Sequence, residues 1–366
     1  MKYVTLKDVC TINMGQSPDS DSYNDNGEGV PFFQGNADFG ERYPVTRKWC
    51  SAPTKMAAPE DILISVRAPI GAMNYAKEEC CIGRGLAALT PDKTKVSPKF
   101  IFWLLKGKNA ELNSKGTGST FKAIGRKVLE ETKVPDIPLE KQLEHSETLE
   151  KIYAVIQHRK SELQMLDDLI KARFVEMFGD PVHSDKYGTR KLSSCVAEKT
   201  DMVDGPFGSQ VNTKIDYIEK GEIPVIRTVN VKKMSFSPVD LKYMTRKKYE
   251  TVIRSQVLPG DVILTKVGTI GNVCVFPDTY KEAVLSTTGS CRIRVDNSIV
   301  NTEFFAYNLL YLKSKLLEIA SAGVQPFLNM NHVKNIDILN VPLGKQTKFA
   351  DFVHQVDKSK VVEIIN

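Results

Sequence analysis

Short apolar runs recur along the first third of the chain, and clusters of Gly, Pro, Asp and Asn separate them. Runs such as 30–33, 62–66 and 86–89 have the length and the flanking turn residues of β-strands. Two stretches rich in aromatic residues and leucine, near 98–108 and 302–319, predict helices. The pattern predicts an α+β fold, in which a strongly curved sheet carries peripheral helices.

The sequence pattern of the first half of the chain recurs in the second half. Residues 59–72 read PEDILISVRAPIGA, and residues 259–272 read PGDVILTKVGTIGN. Their neighbours recur in the same order, because VPFFQGN and IPVIRTVN precede these stretches, and IPLEKQ and VPLGKQ follow them. The difference in residue number between matching positions of the two copies changes along the chain, as expected if surface loops carry insertions. The chain therefore contains two tandem copies of one module.

The stretch between the copies, residues 139–178, contains neither Pro nor Gly. Pro138 can open a helix here, and Gly179 with Pro181 closes it. A helix of ~40 residues is ~60 Å long, and its apolar stripe, which steps by alternate threes and fours, needs a partner. The candidate packing residues of this helix are Leu149, Ile152, Ile156, Leu163, Leu166, Ile170 and Met177.

The last stretch, residues 343–366, repeats the first half of that helix. Its candidate packing residues are Phe349, Val353 and Val356, which match His145, Leu149 and Ile152. We expect the two helices to pair antiparallel as a coiled coil, with the two globular modules at opposite ends; a dimerisation coiled coil is the structural alternative. Because the second helix is the shorter one, we expect the distal stripe of the first, from Leu163 to Met177, to lack a partner in the same chain.

These features divide the chain into two modules, 1–138 (module 1) and 179–342 (module 2), and two spacer helices, 139–178 and 343–366. The modules carry net charges of +3 and +4, whereas the central helix carries −2. Mildly basic modules suit contact with nucleic acid, and an acidic connector suits contact with protein. Ordinary surface charge explains the same balance nearly as well.

The polar turns of both modules carry side chains that suit bases and phosphates. Arg matches the edge of guanine, and Asn or Gln matches the edge of adenine. Each residue alone is more simply an ordinary loop residue, but these residues differ between the copies while the scaffold residues repeat. The DNA-binding candidates are Gln34, Asn36, Arg67, Arg84, Lys122 and Arg126 in module 1, and Arg227, Asn230, Lys266, Gln325, Asn329 and Asn331 in module 2.

Other functional classes find little support in the sequence. Seven scattered cysteines without a C-x-x-C pair argue against a disulfide framework and a zinc site. No histidine has a partner at triad or metal spacing, and neither a P-loop nor an adenine-methyltransferase tetrapeptide is present. We therefore assign no catalytic residue and no metal ligand. No run approaches the ~20 apolar residues of a membrane span, and the N-terminus lacks a signal peptide, so we expect a cytoplasmic protein with no membrane partner.

Several of these features together resemble a known family. The duplicated half-chain, the PGDVILTKVGTIGN-type strands, the IPLEKQ and VPLGKQ steps into long helices and the ARFVEMFGDP ending of the central helix are similar to the specificity (S) subunits of type I restriction–modification systems. The resemblance implies two target-recognition domains, each recognising one half of a bipartite, asymmetric sequence in double-stranded DNA. The helices would set the gap between the halves and dock the methyltransferase subunits.

The resemblance also implies a chain that is not itself an enzyme. It would assemble with two modification subunits, which methylate adenine with S-adenosylmethionine, and with restriction subunits, which use ATP and Mg²⁺. No cofactor is then expected on this chain. Two alternatives stay open: a stand-alone coiled-coil interaction protein, and the recognition part of a fused methyltransferase-nuclease.

Overall fold

A computed structural model describes residues 2–118, 122–183, 186–320 and 326–365, with only the backbone of 361–365. The chain forms two compact units, Met1–His158 (unit 1) and Arg159–Asn366 (unit 2). The boundary between the units falls inside the long central helix. Module 1 therefore lies in unit 1, and module 2 lies in unit 2.

Unit 1 consists of short strands, short helices and the first half of the central helix. Its strands are β1 Tyr3–Thr5, β2 Cys10–Met14, β3 Tyr23–Asn24, β4 Val30–Phe33, β5 Trp49–Cys50, β6 Met56–Ala57, β7 Ile62–Ser65, β8 Met73–Tyr75, β9 Cys80–Ile82, β10 Leu86–Pro91 and β11 Lys133–Pro135. Its helices are α1 Leu6–Val9, α2 Pro98–Gly107, α3 Asn109–Ser114, α4 Arg126–Glu130 and the start of α5 Leu139–Phe178.

The strands of unit 1 form three sheets. One has the order β2-β10-β7-β8, a second has the order β3-β5-β4-β9-β6, and β1 pairs with β11. In the second sheet β4 and β9 run parallel, with Phe32 opposite Cys81. Side chains of β7, β10 and α2, among them Ile64, Leu89 and Ile101, are fully buried in one core between the first sheet and the helices.

Unit 2 contains the second half of α5 and the following elements. Its strands are β12 Thr189–Lys191, β13 Met202–Asp204, β14 Ile223–Ile226, β15 Lys242–Met244, β16 Gln256–Val257, β17 Val262–Thr265, β18 Val273–Val275, β19 Ala283–Leu285, β20 Ser290–Ile293 and β21 Asp337–Leu339. Its helices are α6 Arg246–Glu250, α7 Thr302–Tyr311, α8 Lys313–Ala320, α9 Met330–Lys334 and α10 Leu343–Ile365.

The sheets of unit 2 repeat those of unit 1 with one strand fewer. Their orders are β13-β20-β17-β18, β15-β14-β19-β16 and β12-β21, so that, among the described strands, β3 alone has no counterpart. The parallel pair recurs as β14 and β19, with Val225 opposite Val284. The predicted α+β fold with two pseudo-repeated modules is confirmed.

The repeated Pro-x-Asp turn anchors the same central strand in both modules. The carboxylate of Asp61 accepts a hydrogen bond from the backbone N–H of Ala58 at 2.9 Å, and that of Asp261 accepts one from Leu258 at 2.7 Å. Both aspartates are almost fully buried, so losing either acceptor would leave a backbone N–H without a partner. The identity of these residues between the copies is therefore structural.

A buried glutamine fastens each spacer helix to the module that precedes it. The side-chain oxygen of Gln142 accepts a hydrogen bond from the backbone N–H of Ser97 at 2.9 Å. Gln346 accepts the equivalent bond from Asn301 at 2.8 Å. Ser97 and Asn301 are the N-cap residues of α2 and α7, and both glutamines are only 2% exposed. The repeated Pro-Leu-x-Lys-Gln step thus joins a helix start to a domain.

Within unit 2 the C-terminal helix α10 packs antiparallel against the second half of α5. The ring of Phe349, near the start of α10, lies 5.3 Å from that of Phe174 and 5.7 Å from that of Phe178. Toward the other end, the Lys360 Nζ lies 2.8 Å from a carboxylate oxygen of Asp167. The predicted antiparallel pairing is confirmed, and Phe349, Val353 and Val356 are buried as expected.

The expectation that the distal stripe of α5 lacks a partner is wrong. Ile170, Phe174 and Phe178 are fully buried in a core that includes α7 and α10. Ile170 is buried as predicted, but the buried face continues in steps of four to Phe174 and Phe178, on neighbouring turns of the helix, and so leaves the predicted heptad seam. Leu163, Leu166 and Met177 are consequently only half-buried.

The first half of α5 is where the predicted packing residues remain exposed. Leu149, Ile152 and Ile156 are 40%, 50% and 46% exposed, whereas Gln142 and Ser146 are buried. The expectation that these three pack against the second helix of the same chain is therefore wrong for the described residues. We call Leu149, Ile152 and Ile156 the exposed stripe.

The helix ends agree with the predicted segment boundaries, although the compact units meet elsewhere. The central helix begins at Leu139 and ends at Phe178, and α10 begins at Leu343. None of the described helices combines the length and the apolar character that crossing a membrane requires.

Candidate nucleic-acid interface

A polar cleft opens in unit 1 where the parallel strands β4 and β9 end. Grooves at the carboxyl ends of parallel strands are common binding sites, since side chains of neighbouring strands converge there. The cleft (cleft 1) has a volume of about 420 Å³. It is lined by Phe32, Gln34, Gly35, Asn36, Ala37, Asp38, Arg47, Lys48, Ser65, Arg67, Arg84 and Gly85.

Backbone packing fixes the two sides of cleft 1 against each other. A Cβ atom on Gly85 would lie 2.4 Å from the carbonyl oxygen of Gln34, so the turn after β9 needs glycine there. The Asp38 carboxylate accepts a hydrogen bond from the backbone N–H of Gln34 at 2.8 Å and closes the turn after β4. Gln34 and Arg84 therefore extend from adjacent, tightly held backbone segments.

Cleft 1 carries an excess of positive charge. Arg47, Lys48, Arg67 and Arg84 are exposed, and in the described part of the chain no carboxylate lies within ion-pair distance of them. The lining carboxylate, Asp38, is engaged with the backbone of its own turn. Unpaired cations beside side-chain amides give a surface that can bind both phosphates and base edges.

Unit 2 has a cleft (cleft 2) in the equivalent place, at the ends of β14 and β19. Its volume is about 570 Å³. It is lined by Thr213, Tyr217, Glu219, Arg227, Thr228, Val229, Lys242, Ser286, Thr287, Gly289 and Ser290. Hydroxyl groups dominate this lining, and two of them, on Tyr217 and Ser286, lie 2.6 Å apart. Burial raises the pKa of the Tyr217 phenol, which therefore stays protonated near neutral pH.

The cations of cleft 2 are already paired with carboxylates. Arg227 lies 2.8 Å from a carboxylate oxygen of Asp240, and Lys242 lies 2.6 Å from Glu219 and 3.0 Å from Asp240. Hydrogen bonds from Arg227 and Lys242 lower the pKa of Asp240, and those from Lys242 to Glu219 and Asp240 raise the pKa of Lys242. The four residues thus pair two cations with two carboxylates, and the cluster has no net charge.

The structure brings most of the module 1 candidates together. Gln34, Asn36, Arg67 and Arg84 all line cleft 1. Lys122 is exposed on the segment beside it, where its carbonyl oxygen accepts a hydrogen bond from the N–H of Ala68. Arg126 begins α4 outside the cleft lining and is 3.5 Å from Glu130.

The module 2 candidates are more scattered. Arg227 lines cleft 2, but Asn230 and Lys266 are buried. The Asn230 oxygen accepts a hydrogen bond from the backbone N–H of Arg227 at 3.1 Å, which is the role that Asp38 plays in module 1. The Lys266 Nζ lies 3.4 Å from Asp204 inside the domain. Neither buried side chain is placed to reach a base.

The remaining candidates follow α8 in the chain. Gln325 lies outside the described residues. The Asn329 oxygen caps α9 by accepting the N–H of His332 at 2.7 Å. Asn331 is exposed on the first turn of α9. Asn329 is thus occupied as a helix cap, and neither it nor Asn331 lines cleft 2.

Sequence reasoning missed several lining residues. Arg47 and Lys48 enter cleft 1 because they precede β5, which pairs with β4. Lys242 occupies the equivalent place in β15. An alignment of the segments before β5 and β15 could have found these lining residues. The two segments are too different in sequence to be aligned unless the strand pairing is known.

Nothing in the described residues suggests a metal centre. No group of three or more His, Cys, Asp and Glu side chains is arranged there to hold a metal ion. All seven cysteines are buried as free thiols, and burial raises the pKa of several of them, that of Cys291 to about 12. Such thiols are poor nucleophiles at neutral pH.

The sequence matches a known protein family over most of its length. The family model of the type I restriction modification DNA specificity domain matches residues 1–165 and 205–366. The chain belongs to this family. The two matches correspond to the two structural repeats, so the duplication is a tandem pair of specificity domains.

Named relatives in the specificity family match over different lengths. A protein of Methanocaldococcus jannaschii, named by prediction as the specificity subunit of the type I restriction enzyme MjaX, is 45% identical over 156 residues, which are 43% of this chain and 37% of that one. The type I restriction enzyme EcoBI specificity subunit of Escherichia coli is 20% identical over 385 residues, covering 97% of this chain and 78% of that one. The chain thus spans less than two fifths of the first relative and most of the second.

A solved specificity-family structure has a similar fold. The S subunit of a type I restriction–modification system from M. genitalium aligns with a TM-score of 0.55, covering 99% of this chain and 90% of that one. The sequence identity is 15%, so this likeness concerns the fold.

Proposed function

We propose that this chain is the DNA sequence-recognition subunit of a type I restriction–modification complex. The observation that carries the proposal is the pair of equivalent polar clefts, one in each specificity domain. The scaffold around the clefts repeats, whereas the side chains inside them differ. Two different surfaces on one scaffold suit the two halves of an asymmetric DNA site, just as identical surfaces on a dimer suit a palindrome.

The catalytic work falls to partner subunits in this account. Two modification subunits supply S-adenosylmethionine-dependent methylation of adenine, and restriction subunits supply ATP- and Mg²⁺-dependent translocation and cleavage. This chain contributes the DNA sequence and the spacing between the half-sites. Its place of action is the prokaryotic cytoplasm, where the DNA is.

The exposed stripe is the surface proposed to dock a modification subunit. Leu149, Ile152 and Ile156 lie on consecutive turns of one helix face. The net charge of α5 is negative, whereas that of both modules is positive, so α5 is less suited than the modules to contact DNA. Three aliphatic side chains at helical spacing form the kind of stripe that a partner helix covers.

Replacing both cleft amides of module 1, Gln34→Ala with Asn36→Ala, should relax one half of the recognised sequence. Each bidentate amide–base contact contributes about 1–3 kcal/mol of discrimination, which is roughly 5- to 150-fold per contact. Binding of the subunit complex would be compared on duplexes carrying the methylated motif and a scrambled motif. We expect discrimination to fall while binding to the scrambled duplex is unchanged.

The matched control is Asn26→Ala, because Asn26 is an exposed amide outside cleft 1. It should leave discrimination as it is. Full discrimination in the double variant would remove these two amides from the recognition surface.

A further inference from the structure

The equivalent strands allow the two clefts to be compared position by position. Arg67 and Val267 both follow the central strand of their sheet, and each forms a bridge to the segment after the helices, Arg67 to Ala123 and Val267 to Phe327. The N–H groups just before them, on Val66 and Lys266, donate to the carbonyl oxygens of Gly85 and Gly289. The correspondence is therefore structural as well as sequential.

The pairing of the parallel strands gives the counterpart of the second cleft 1 arginine, Arg84. Ile82 matches Leu285, since they pair with Phe33 and Ile226 in the two parallel ladders. Arg84, which lies between Ile82 and Gly85, therefore corresponds to the pair Thr287 and Thr288, because module 2 has one residue more between Leu285 and Gly289. Cleft 1 carries arginine at two places where module 2 carries valine and threonine.

Cleft 2 carries one cation that cleft 1 lacks, since Arg227 corresponds to Gln34, but this charge is neutralised by a neighbouring carboxylate. Its cations, Arg227 and Lys242, are held by Asp240 and Glu219. When Lys and Arg side chains of a protein bind DNA phosphates, counterions leave the DNA in proportion to the number of phosphates neutralised. A cation that is already paired with a carboxylate must give up that carboxylate before it can bind a phosphate. The net charges of the whole modules, +3 and +4, do not reveal this difference, because it lies in the clefts.

We propose that the clefts contribute unequally to DNA binding: cleft 1 supplies salt-dependent affinity through unpaired cations, whereas cleft 2 contacts DNA mainly through uncharged hydrogen-bonding groups. This inference rests on the proposed function. One specificity domain would then hold the DNA backbone firmly, while the other discriminates with little electrostatic attraction of its own. The hydroxyls of Tyr217, Thr228 and Thr287, which are partly exposed, are the groups that cleft 2 offers for such contacts.

The test is the salt dependence of binding to a labelled random-sequence duplex, measured by fluorescence anisotropy with the full chain in its subunit complex. Arg67→Val with Arg84→Thr puts the residues of module 2 into cleft 1. The slope of log K against log salt should become shallower by about 1.8, because each phosphate contact contributes about 0.9. The reciprocal variant, Val267→Arg with Thr287→Arg, should steepen the slope.

A charge-balanced control removes the ion cluster of cleft 2 through Glu219→Gln, Arg227→Gln, Asp240→Asn and Lys242→Gln. The slope should stay within experimental error of the unmodified chain. If this quadruple variant loses as much slope as the cleft 1 variant, or if the cleft 1 variant loses none, the unequal contribution is wrong although the chain still binds DNA. If the unmodified complex shows no salt-dependent binding at all, the proposed function fails as well.

Discussion

Exchanging residues 1–138 for the corresponding segment of another specificity chain will change one half of the methylated sequence and leave the other half unaltered. The reason is that each cleft is built from one module only. The core clusters are likewise confined, because each draws its residues from one unit. A replacement of module 1 therefore leaves the packing around cleft 2 intact.

The junction at residue 138 suits this exchange. Gln142 remains in the recipient helix and bonds the backbone N–H of Ser97, so its partner does not depend on the side chains of the donor module. Some side-chain contacts across the junction depend on the donor: Arg42 pairs with Glu150, and Trp103 donates a hydrogen bond to Glu150 and packs against Tyr153. Arg42 and Glu150 are partly exposed, so losing their ion pair should cost about 1 kcal/mol or less.

The exchange would be measured by mapping methylated adenines in cells that also express the modification subunit. Replacing residues 179–342 instead is the matched control, and it should change the opposite half of the motif. A change of both halves by either exchange would contradict the division of recognition between the modules.

Substituting the centre of the exposed stripe, Ile152→Asp, should abolish stable association with the modification subunit. A carboxylate at the centre of an apolar interface loses its hydration without gaining a partner, and losses at such central positions are about 2 kcal/mol or more, roughly 30-fold in affinity. Because Ile152 is 50% exposed in this chain, the substitution should lower the free energy of unfolding of the chain by less than about 1 kcal/mol. Co-purification and thermal melting would be measured together.

The control for this variant is Ile215→Asp. Ile215 is 72% exposed and lies in the segment between β13 and β14 of module 2, outside the sequence of both spacer helices. It should co-purify as the unmodified chain does. Equal co-purification of the two variants would show that the exposed stripe is not the docking surface.

The duplication was the most informative sequence signal, because repeated turns and strands imply a repeated topology. The Pro-x-Asp turn and the Pro-Leu-x-Lys-Gln step predicted where strands and helices begin, and each proves to hold a buried hydrogen bond, through Asp61 and Gln142 for example. Buried polar residues that recur in both copies were reliable because their partners are backbone groups, which do not change with the neighbouring sequence.

Side-chain roles were less predictable where the copies diverge. Asn230 ends IPVIRTVN as Asn36 ends VPFFQGN, but the two stretches differ in length, and the structure gives Asn230 the role of Asp38. Lys266 aligns with Val66, a core residue, so its burial could have been anticipated from that match. The stripe of α5 was assigned to a heptad because a single helix sequence fits periods of 3.5 and 3.6 nearly equally over a few turns. Phe174 and Phe178, which carry much of the packing, lie off that seam.

The most direct measurement is a genome-wide map of methylated adenines in cells expressing the modification subunit, with and without this chain. A two-part motif with an unspecified gap should be methylated only when the chain is present, and the Gln34→Ala, Asn36→Ala variant should weaken the recognition of one part of it. Methylation at the same motif without the chain, or of a single unbroken motif with it, would contradict the claim that its two clefts recognise two half-sites.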